Sequence, residues 1–186
     1  MLIIRNLIIL VALLLLFPIL FLLILIIIIE DGMPAIFIQE RLGVQKKIFR
    51  LFKLRTMKKN TLQAGTHDVE QSQVLRCGKI IRKFKLDEFL QLINVLKGDI
   101  NLVGPRPSLE NQTELVLQRN NYGIYSIKPG ITGLSQVCGY DMSDPKKLAY
   151  VDSIYLRHQS FILDFKILIS TFTGIFIKDL KKKYHI

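Results

Sequence analysis

Asp87 and Glu88 are adjacent carboxylates that follow directly on the cationic run Arg82-Lys83-Phe84-Lys85. Read as the opening of a helix, they sit where the positive end of the helix dipole favours acids, a placement common for structural reasons alone. The cations beside them add a second reading. A carboxylate flanked by several positive charges stays ionised at neutral pH, and can bind Mg²⁺ or act as a nucleophile. Adjacent helical residues project about 100° apart, so the two acids are expected to serve different tasks rather than share one proton. Further cations, Arg41, Lys53, Arg55, Arg82 and Arg106, lie in segments expected to fold near one another. Arg106 stands out among them, because Pro105 and Pro107 fix its backbone and pre-set its guanidinium fork for a phosphate. Gly130 and Gly133 permit backbone N–H groups to approach an anion, a weak signal by itself. His67, His158 and His185 have no metal-ligand spacing, and there is no nucleophile elbow, P-loop or dinucleotide fingerprint. The residues alone point to carboxylate-based handling of a polyanion with a divalent ion.

The surrounding composition says where that chemistry takes place. Residues 7–29 of the 186 form an unbroken run of 23 apolar residues. At about 1.5 Å per residue such a helix is about 34 Å long, enough to cross a hydrocarbon core of ~30 Å. Residues 40–86 hold thirteen Lys and Arg against three Asp and Glu, or +10, which is nearly all of the chain's net charge of +11. A freely soluble globule, an acidic disordered chain and a disulfide-stapled secreted domain are excluded. Cys77 and Cys138 read as core thiols of a reducing compartment. Glu30-Asp31 stand where a signal peptide would carry small cleavage-site residues. Pro18 has eleven apolar residues on each side. It removes a donor and strands the Leu14 carbonyl, so it either kinks a spanning helix or breaks a re-entrant one. Positive charge after the run favours the cytoplasmic side in both cases, and the same bases could grip anionic lipid head groups.

Residues 35–41 and 47–57, separated by Leu42-Gly43-Val44-Gln45, suggest a hairpin, although the second segment also suits a helix. Residues 58–70 are polar and read as a loop. Helical spacing recurs over residues 74–84 and 86–96, the latter stopped by Gly98. Ser108 is the expected cap of a helix reaching about Asn120, and Asp144-Pro145 opens another reaching about Arg157. Lys128 to Gly133 reads as a turn-rich loop. Residues 160–177 are largely apolar but contain Asp164 and Lys166, which favours an interfacial or packed helix over a second span.

The ordered motifs Gln39-Glu40-Arg41-Leu42-Gly43, Lys53-Leu54-Arg55-Thr56-Met57, Leu86-Asp87-Glu88-Phe89-Leu90 with Gly98-Asp99, Leu102-Val103-Gly104-Pro105-Arg106-Pro107 and Lys128-Pro129-Gly130-Ile131-Thr132-Gly133 with Gln136 resemble the bacterial sugar transferases. Within that family they resemble the small monotopic phosphoglycosyl transferases. The resemblance runs from residue 7 to about 177. It implies transfer of a phospho-sugar from a UDP-sugar to polyprenyl phosphate, such as undecaprenyl phosphate, with release of UMP at the first membrane step of glycan synthesis. Asp87 then matches the nucleophile and the Mg²⁺ ligand, and Glu88 its partner in the second half-reaction. Lys53, Arg55, Arg82, Pro105, Arg106, Pro107 and Asp152 match substrate-binding positions, with Arg106 nearest the nucleotide.

The implied fold is α-dominated α+β. It has a membrane-embedded re-entrant helix broken at Pro18 (residues 1–31) and a cytoplasmic catalytic domain (residues 32–186) with a small hairpin and interfacial helices. The implied setting is the bacterial inner membrane, active site on its cytoplasmic face, with phospholipid and both substrates as partners. Homodimerisation is left open. A membrane-surface binding module without activity is the rival reading, and a nucleic-acid binder is disfavoured because the bases have no interleaved aromatic array. Three positions depart from the family pattern. Phe17 replaces the usual Ser before the proline, only Arg5-Asn6 stands where a Lys-Arg and an Asp are usual, and Tyr140 replaces an Arg.

Overall fold

A computed structural model describes residues 2–59, 61 and 73–186. Most of the loop expected over residues 58–70, including His67, lies outside the described residues. The chain forms two compact units, residues 1–39 with 50–97 and residues 40–49 with 98–186.

In the first unit, α1 (Leu2–Asp31) is a 30-residue apolar helix with Pro18 inside it. By length and composition it could cross a membrane. The helix is continuous through Pro18, so the proline sits within one helix rather than in a gap between two. Gly32 ends it in the left-handed region (φ +69°), with its N–H donating to the Ile28 carbonyl at 2.8 Å. Only glycine adopts that conformation without a Cβ penalty. Leu20 and Ile27, seven residues apart on one stripe, pack into a core with Leu54, Leu75, Ile81 and Leu90. The opposite stripe, with Phe21, Leu22 and Ile29, is exposed.

Strands β1 (Ile36–Leu42) and β2 (Ile48–Leu54) pair in a two-stranded sheet, and the boundary between the units crosses both. The segment that suited either strand or helix is therefore a strand, as its β-branched and aromatic content favours. The expected helix over residues 74–84 is α2 (Arg76–Lys83). It approaches the backbone at Thr56 so closely that a Cβ on Gly78 would collide with the Thr56 carbonyl. The helix expected over residues 86–96 starts differently. Leu86–Leu90 is a 3-10 turn, entered through Lys85 in the left-handed region (φ +54°), and only Gln91–Lys97 is α-helical (α3). In a 3-10 turn neighbouring side chains stand about 120° apart, which keeps Asp87 and Glu88 divergent.

The second unit is built around β3 (Asn101–Val103) and β4 (Gly130–Thr132), which pair in parallel, Asn101 opposite Gly130 and Val103 opposite Thr132. The segment read as a turn-rich loop thus contains a strand. Three residues are too few for a hydrophobic period to show. A Cβ on Gly130 would collide with Gly104, and one on Gly133 with the Gly104 carbonyl, so both glycines serve close packing. Helix α4 (Thr113–Asn121) begins five residues after Ser108, which is not its cap. Ser108 is buried, its hydroxyl pairs with Tyr125 at 3.0 Å and its carbonyl accepts from Leu42 N–H. After the four-residue α5 (Leu134–Val137), helix α6 (Pro145–His158) starts as expected, with Asp144 accepting from the Lys147 N–H at 2.9 Å. The apolar C-terminal stretch divides at Gly174 (φ +74°) into α7 (Phe161–Thr173) and α8 (Ile177–Tyr184). Val103, Leu134, Val151, Ile154, Ile167 and Leu180 meet in the core of this unit.

Candidate active site

The carboxylate pair lies wholly in the first unit, where three elements position it. Strand β2 carries Lys53, whose ammonium lies 3.3 Å from Glu88 Oε1. The strand is pinned beside the pair by Asn94 of α3, which is completely buried. Asn94 Oδ1 accepts from the Phe52 N–H at 3.1 Å and its Nδ2 donates to the Arg50 carbonyl at 2.7 Å, so the amide bonds the strand as another strand would. Helix α2 carries Arg82, whose Nε donates to Thr56 Oγ1 at 2.8 Å. The glycine contact at position 78 is what lets that helix reach Thr56.

Asp87 feels all of these groups. Burial raises its pKa above the ordinary aspartate value, Lys53 opposes the rise, Glu88 adds to it, and Arg82 lowers it again. The sequence alone suggested a carboxylate simply held ionised by cations. Desolvation is the larger effect, and it leaves Asp87 a more basic carboxylate, hence a better nucleophile once ionised.

Arg55 belongs to the same unit but faces the end of α1. Its Nη2 donates to the carbonyls of Asp31 (3.2 Å) and Gly32 (2.8 Å) and lies 3.1 Å from Asp31 Oδ2. A cation there answers the negative end of the helix dipole. Its Nε and Nη1 are buried and have no hydrogen-bond partner among the described residues. Glu30 complements it, accepting the Arg76 and Cys77 N–H groups at 2.6 and 2.9 Å at the start of α2. Cys77 and Cys138 are free thiols. Burial, helped by Glu30, pushes Cys77 up to about 12, so it is no nucleophile at neutral pH.

The second unit holds Pro105, Arg106, Pro107 and Asp152. Asp152 is almost completely buried, and both its oxygens are engaged. Oδ2 accepts from Arg119 Nε (3.0 Å) and Nη2 (2.6 Å), and Oδ1 accepts from Ser135 Oγ (2.7 Å). Asp152 therefore does not present a carboxylate to a substrate; it holds Arg119, whose remaining Nη1 donates to the Arg106 carbonyl at 2.7 Å. Arg41 Nη1 donates to the Pro107 carbonyl at 3.0 Å. Burial, then repulsion from Arg106 and Arg119, lowers Arg41 to about 9. The Gly130 N–H, considered above as an anion donor, is spent on the Pro105 carbonyl at 2.9 Å. Tyr140 has Lys147 and Lys181 ammonium groups 5.2 and 5.7 Å from its ring centroid, so cations gather at this position without the usual Arg.

Lys53, Arg82, Asp87 and Glu88 thus come together in one unit, and the Pro105–Pro107 loop and Asp152 in the other. Asn94, Arg119 and Ser135 were missed from sequence. A buried amide, guanidinium or hydroxyl looks like any surface polar residue until its burial is known. Among the described residues no group of three His, Cys, Asp or Glu could hold a metal. Two adjacent carboxylates nonetheless fit Mg²⁺, which is commonly held by one or two carboxylates plus substrate phosphates rather than by a protein cage.

The profile of the bacterial sugar transferase family matches residues 3–178. The chain is 37% identical over 148 residues to EpsL of Bacillus subtilis, an uncharacterized sugar transferase, covering 80% of this chain and 73% of that one. It is 35% identical over 154 residues to the UDP-N-acetylgalactosamine-undecaprenyl-phosphate N-acetylgalactosaminephosphotransferase of Aeromonas hydrophila, covering 79% of this chain but 36% of that protein. To the UDP-glucose:undecaprenyl-phosphate glucose-1-phosphate transferase of Caulobacter vibrioides it is 35% identical over 165 residues, 81% of this chain and 60% of the other. The match spans nearly the whole sequence and every motif described above, and the chain belongs to the bacterial sugar transferase family.

Proposed function

We propose that this transferase is a phosphoglycosyl transferase that moves a phospho-sugar from a UDP-sugar to polyprenyl phosphate, undecaprenyl phosphate in bacteria, and releases UMP. The observation that carries the reading is Asp87 itself, a partly desolvated carboxylate with Lys53 and Arg82 as neighbouring cations and Glu88 beside it.

In the first step an Asp87 oxygen attacks the β-phosphorus of the UDP-sugar. The bond from that phosphorus to the bridging oxygen breaks and UMP leaves, so a phosphosugar–aspartate forms. In the second step an oxygen of polyprenyl phosphate attacks the same phosphorus and frees the Asp87 carboxylate. Glu88, held at 3.3 Å by Lys53, is placed to take a proton from the lipid phosphate. Lys53 and Arg82 offset the repulsion between a carboxylate and a diphosphate, the main obstacle to this attack. Asp87 would hold Mg²⁺, which when bound supplies further charge neutralisation on the diphosphate. Arg106 is assigned to the nucleotide phosphate and Arg55 to substrate binding, as the family resemblance implies. The covalent scheme lets the soluble and lipid substrates bind in turn.

The membrane disposition proposed is re-entrant, with residues 1–31 embedded, residues 32–186 cytoplasmic and both ends of α1 at the cytoplasmic face of the inner membrane. From Leu16 onward one stripe of α1 is covered by the core of its own unit. Residues 3–15, of which Ile9 alone is buried, lie outside that core and would span about 20 Å, short of a ~30 Å hydrocarbon core. Pro18 adjoins the end of that stretch and supplies the missing donor at which the helix would turn. On α7, Phe161, Phe165 and Phe172 are exposed opposite the buried Leu163, Ile167 and Ser170, which suits an interfacial helix.

UMP release measured with a panel of UDP-sugars, Mg²⁺ and undecaprenyl phosphate tests the reaction; no release from folded protein with any sugar would sink it. Mass spectrometry of a trapped phosphosugar adduct on Asp87 tests the covalent step. A cysteine placed at Ile3 should react with a membrane-impermeant label only from the cytoplasmic side, and labelling only from the periplasm would overturn re-entry.

A further inference from the structure

Proline has no N–H, so the Pro105-Arg106-Pro107 loop cannot fasten itself through donors at positions 105 and 107. It is fastened through its acceptors instead. Four consecutive carbonyls each receive a hydrogen bond: Pro105 from Gly130 N–H (2.9 Å), Arg106 from Arg119 Nη1 (2.7 Å), Pro107 from Arg41 Nη1 (3.0 Å) and Ser108 from Leu42 N–H (2.9 Å). Two of these donors are guanidinium groups. Burying a cation is expensive, and a plain backbone N–H would satisfy a carbonyl at less cost. The guanidinium can do something a backbone N–H cannot, because its rigid fork ties the carbonyl to other fixed groups at the same time.

Arg119 does this in full. It is 2% exposed. Nε and Nη2 both engage Asp152 Oδ2, while Ser135 Oγ fixes the other carboxylate oxygen at 2.7 Å. Helices α4, α5 and α6 thereby converge through side chains on one backbone carbonyl, that of Arg106. The bland alternative is an ordinary buried ion pair that only stabilises the unit. Such a pair would not need its third donor aimed at the loop, nor a second, half-buried arginine clamping the next carbonyl.

We propose that Arg119, with Arg41 beside it, is a positioning residue that holds the Pro105–Pro107 loop so that the Arg106 guanidinium is pre-organised for a substrate phosphate. This rests on the reading of Arg106 as a phosphate contact. It also assigns Asp152 and Ser135 a role through Arg119, with no contact to substrate. Pre-organisation of this kind acts on affinity, because the loop need not be ordered when the ligand arrives.

The test is a double-mutant cycle on the full-length protein in lipid nanodiscs, reading the Kd for UMP by calorimetry and the KM and kcat for UMP release. Arg106→Ala is expected to weaken UMP binding by roughly ten- to a hundredfold, the range of a lost charge-assisted hydrogen bond. Arg119→Lys keeps a cation for Asp152 but loses the fork, and should weaken UMP binding by about five- to tenfold. In the Arg106→Ala background the same change should add less than about twofold, since the residue being positioned is gone. Unaltered UMP binding in Arg106→Ala would remove the phosphate-contact reading itself. A normal loss in Arg106→Ala, with Arg119→Lys either unchanged or fully additive to it, would overturn the positioning role alone. If Arg119→Lys does not fold, Arg41→Lys runs the same cycle through the Pro107 carbonyl, and additivity there overturns the proposal equally.

Discussion

The carboxylate centre of the first unit and the arginine-held loop of the second differ in whether the influences on their polar groups agree. Around Asp152 the contacts are short and complementary: one carboxylate, one guanidinium, one hydroxyl and one carbonyl. Around Asp87 the influences conflict, with burial and Glu88 pushing its proton affinity up while Lys53 and Arg82 pull it down. The backbone differs in the same sense. Asp87 sits in a 3-10 turn entered through a left-handed lysine, whereas Arg106 sits between two prolines with its neighbours' carbonyls clamped. A group that must form and break a bond is served by a shifted proton affinity, and a group that must hold a phosphate needs to be fixed before the ligand arrives.

Asp87→Asn should break the first half of this contrast with the largest effect. Removing the nucleophile should reduce UMP release by at least about a thousandfold, the scale on which essential covalent groups act. Activity near wild type would refute its assignment. The same variant carries a stability signature. A carboxylate whose folded pKa is raised favours folding below its unfolded pKa and loses that contribution as pH rises through the folded value. Asn at this position should therefore raise the Tm at neutral pH relative to wild type, and the gain should vanish under acidic conditions. Equal Tm differences at both pH values would contradict a raised pKa at Asp87.

Asp152→Ala should break the other half by a different route. It leaves Arg119 buried with an uncompensated charge, which costs on the order of 3–5 kcal/mol. Chemical denaturation should show that loss, whereas Asp87→Asn should show none. Should Asp152→Ala retain full stability and lose only activity, Asp152 would be a substrate contact and not a structural anchor. Asn94→Ala sits between these in size. It frees the Phe52 N–H and the Arg50 carbonyl of β2, for about 1–3 kcal/mol, and should raise the KM for UDP-sugar through misplacement of Lys53.

Residue type and spacing single out the candidate groups in this sequence, but not most of the residues that support them. Adjacent acids after a cationic run, and an arginine between prolines, announce their chemistry through residue type and spacing. The long apolar helix and the Asp144-Pro145 helix start are plain, because each has a strong local signal, whereas the second strand of the pair at residues 36–54 suits a helix as well until its pairing is seen. Ser108 was misread as a helix cap since its hydroxyl is used by Tyr125, a residue seventeen positions away. The strands at 101–103 and 130–132 are too short for a period, and their pairing is a long-range event. Asp152 reads from sequence as a substrate contact, whereas its oxygens are taken by Ser135 and by Arg119, thirty-three residues distant, which nothing local distinguishes from a surface arginine.

The smallest expected effect sharpens the comparison most. Lys53 lowers the pKa of Asp87 and pairs with Glu88 at 3.3 Å, so Lys53→Met removes an opposing influence from one acid and a partner from the other. With the cation gone, burial and Glu88 act on Asp87 opposed only by its backbone hydrogen bond and Arg82, and its pKa should rise further. Because the attacking carboxylate has to be ionised, the acid limb of the kcat/KM profile for UMP release should move to higher pH. At pH values well above the limb, activity should return towards whatever charge screening Arg82 still provides. A limb that stays in place, with activity lowered uniformly at every pH, would mean that Lys53 acts on the bound diphosphate and not on the nucleophile. The profile of Arg106→Ala is the control from the other unit. Its loss should be a uniform one, since no titrating group of the carboxylate centre is altered by removing a phosphate contact.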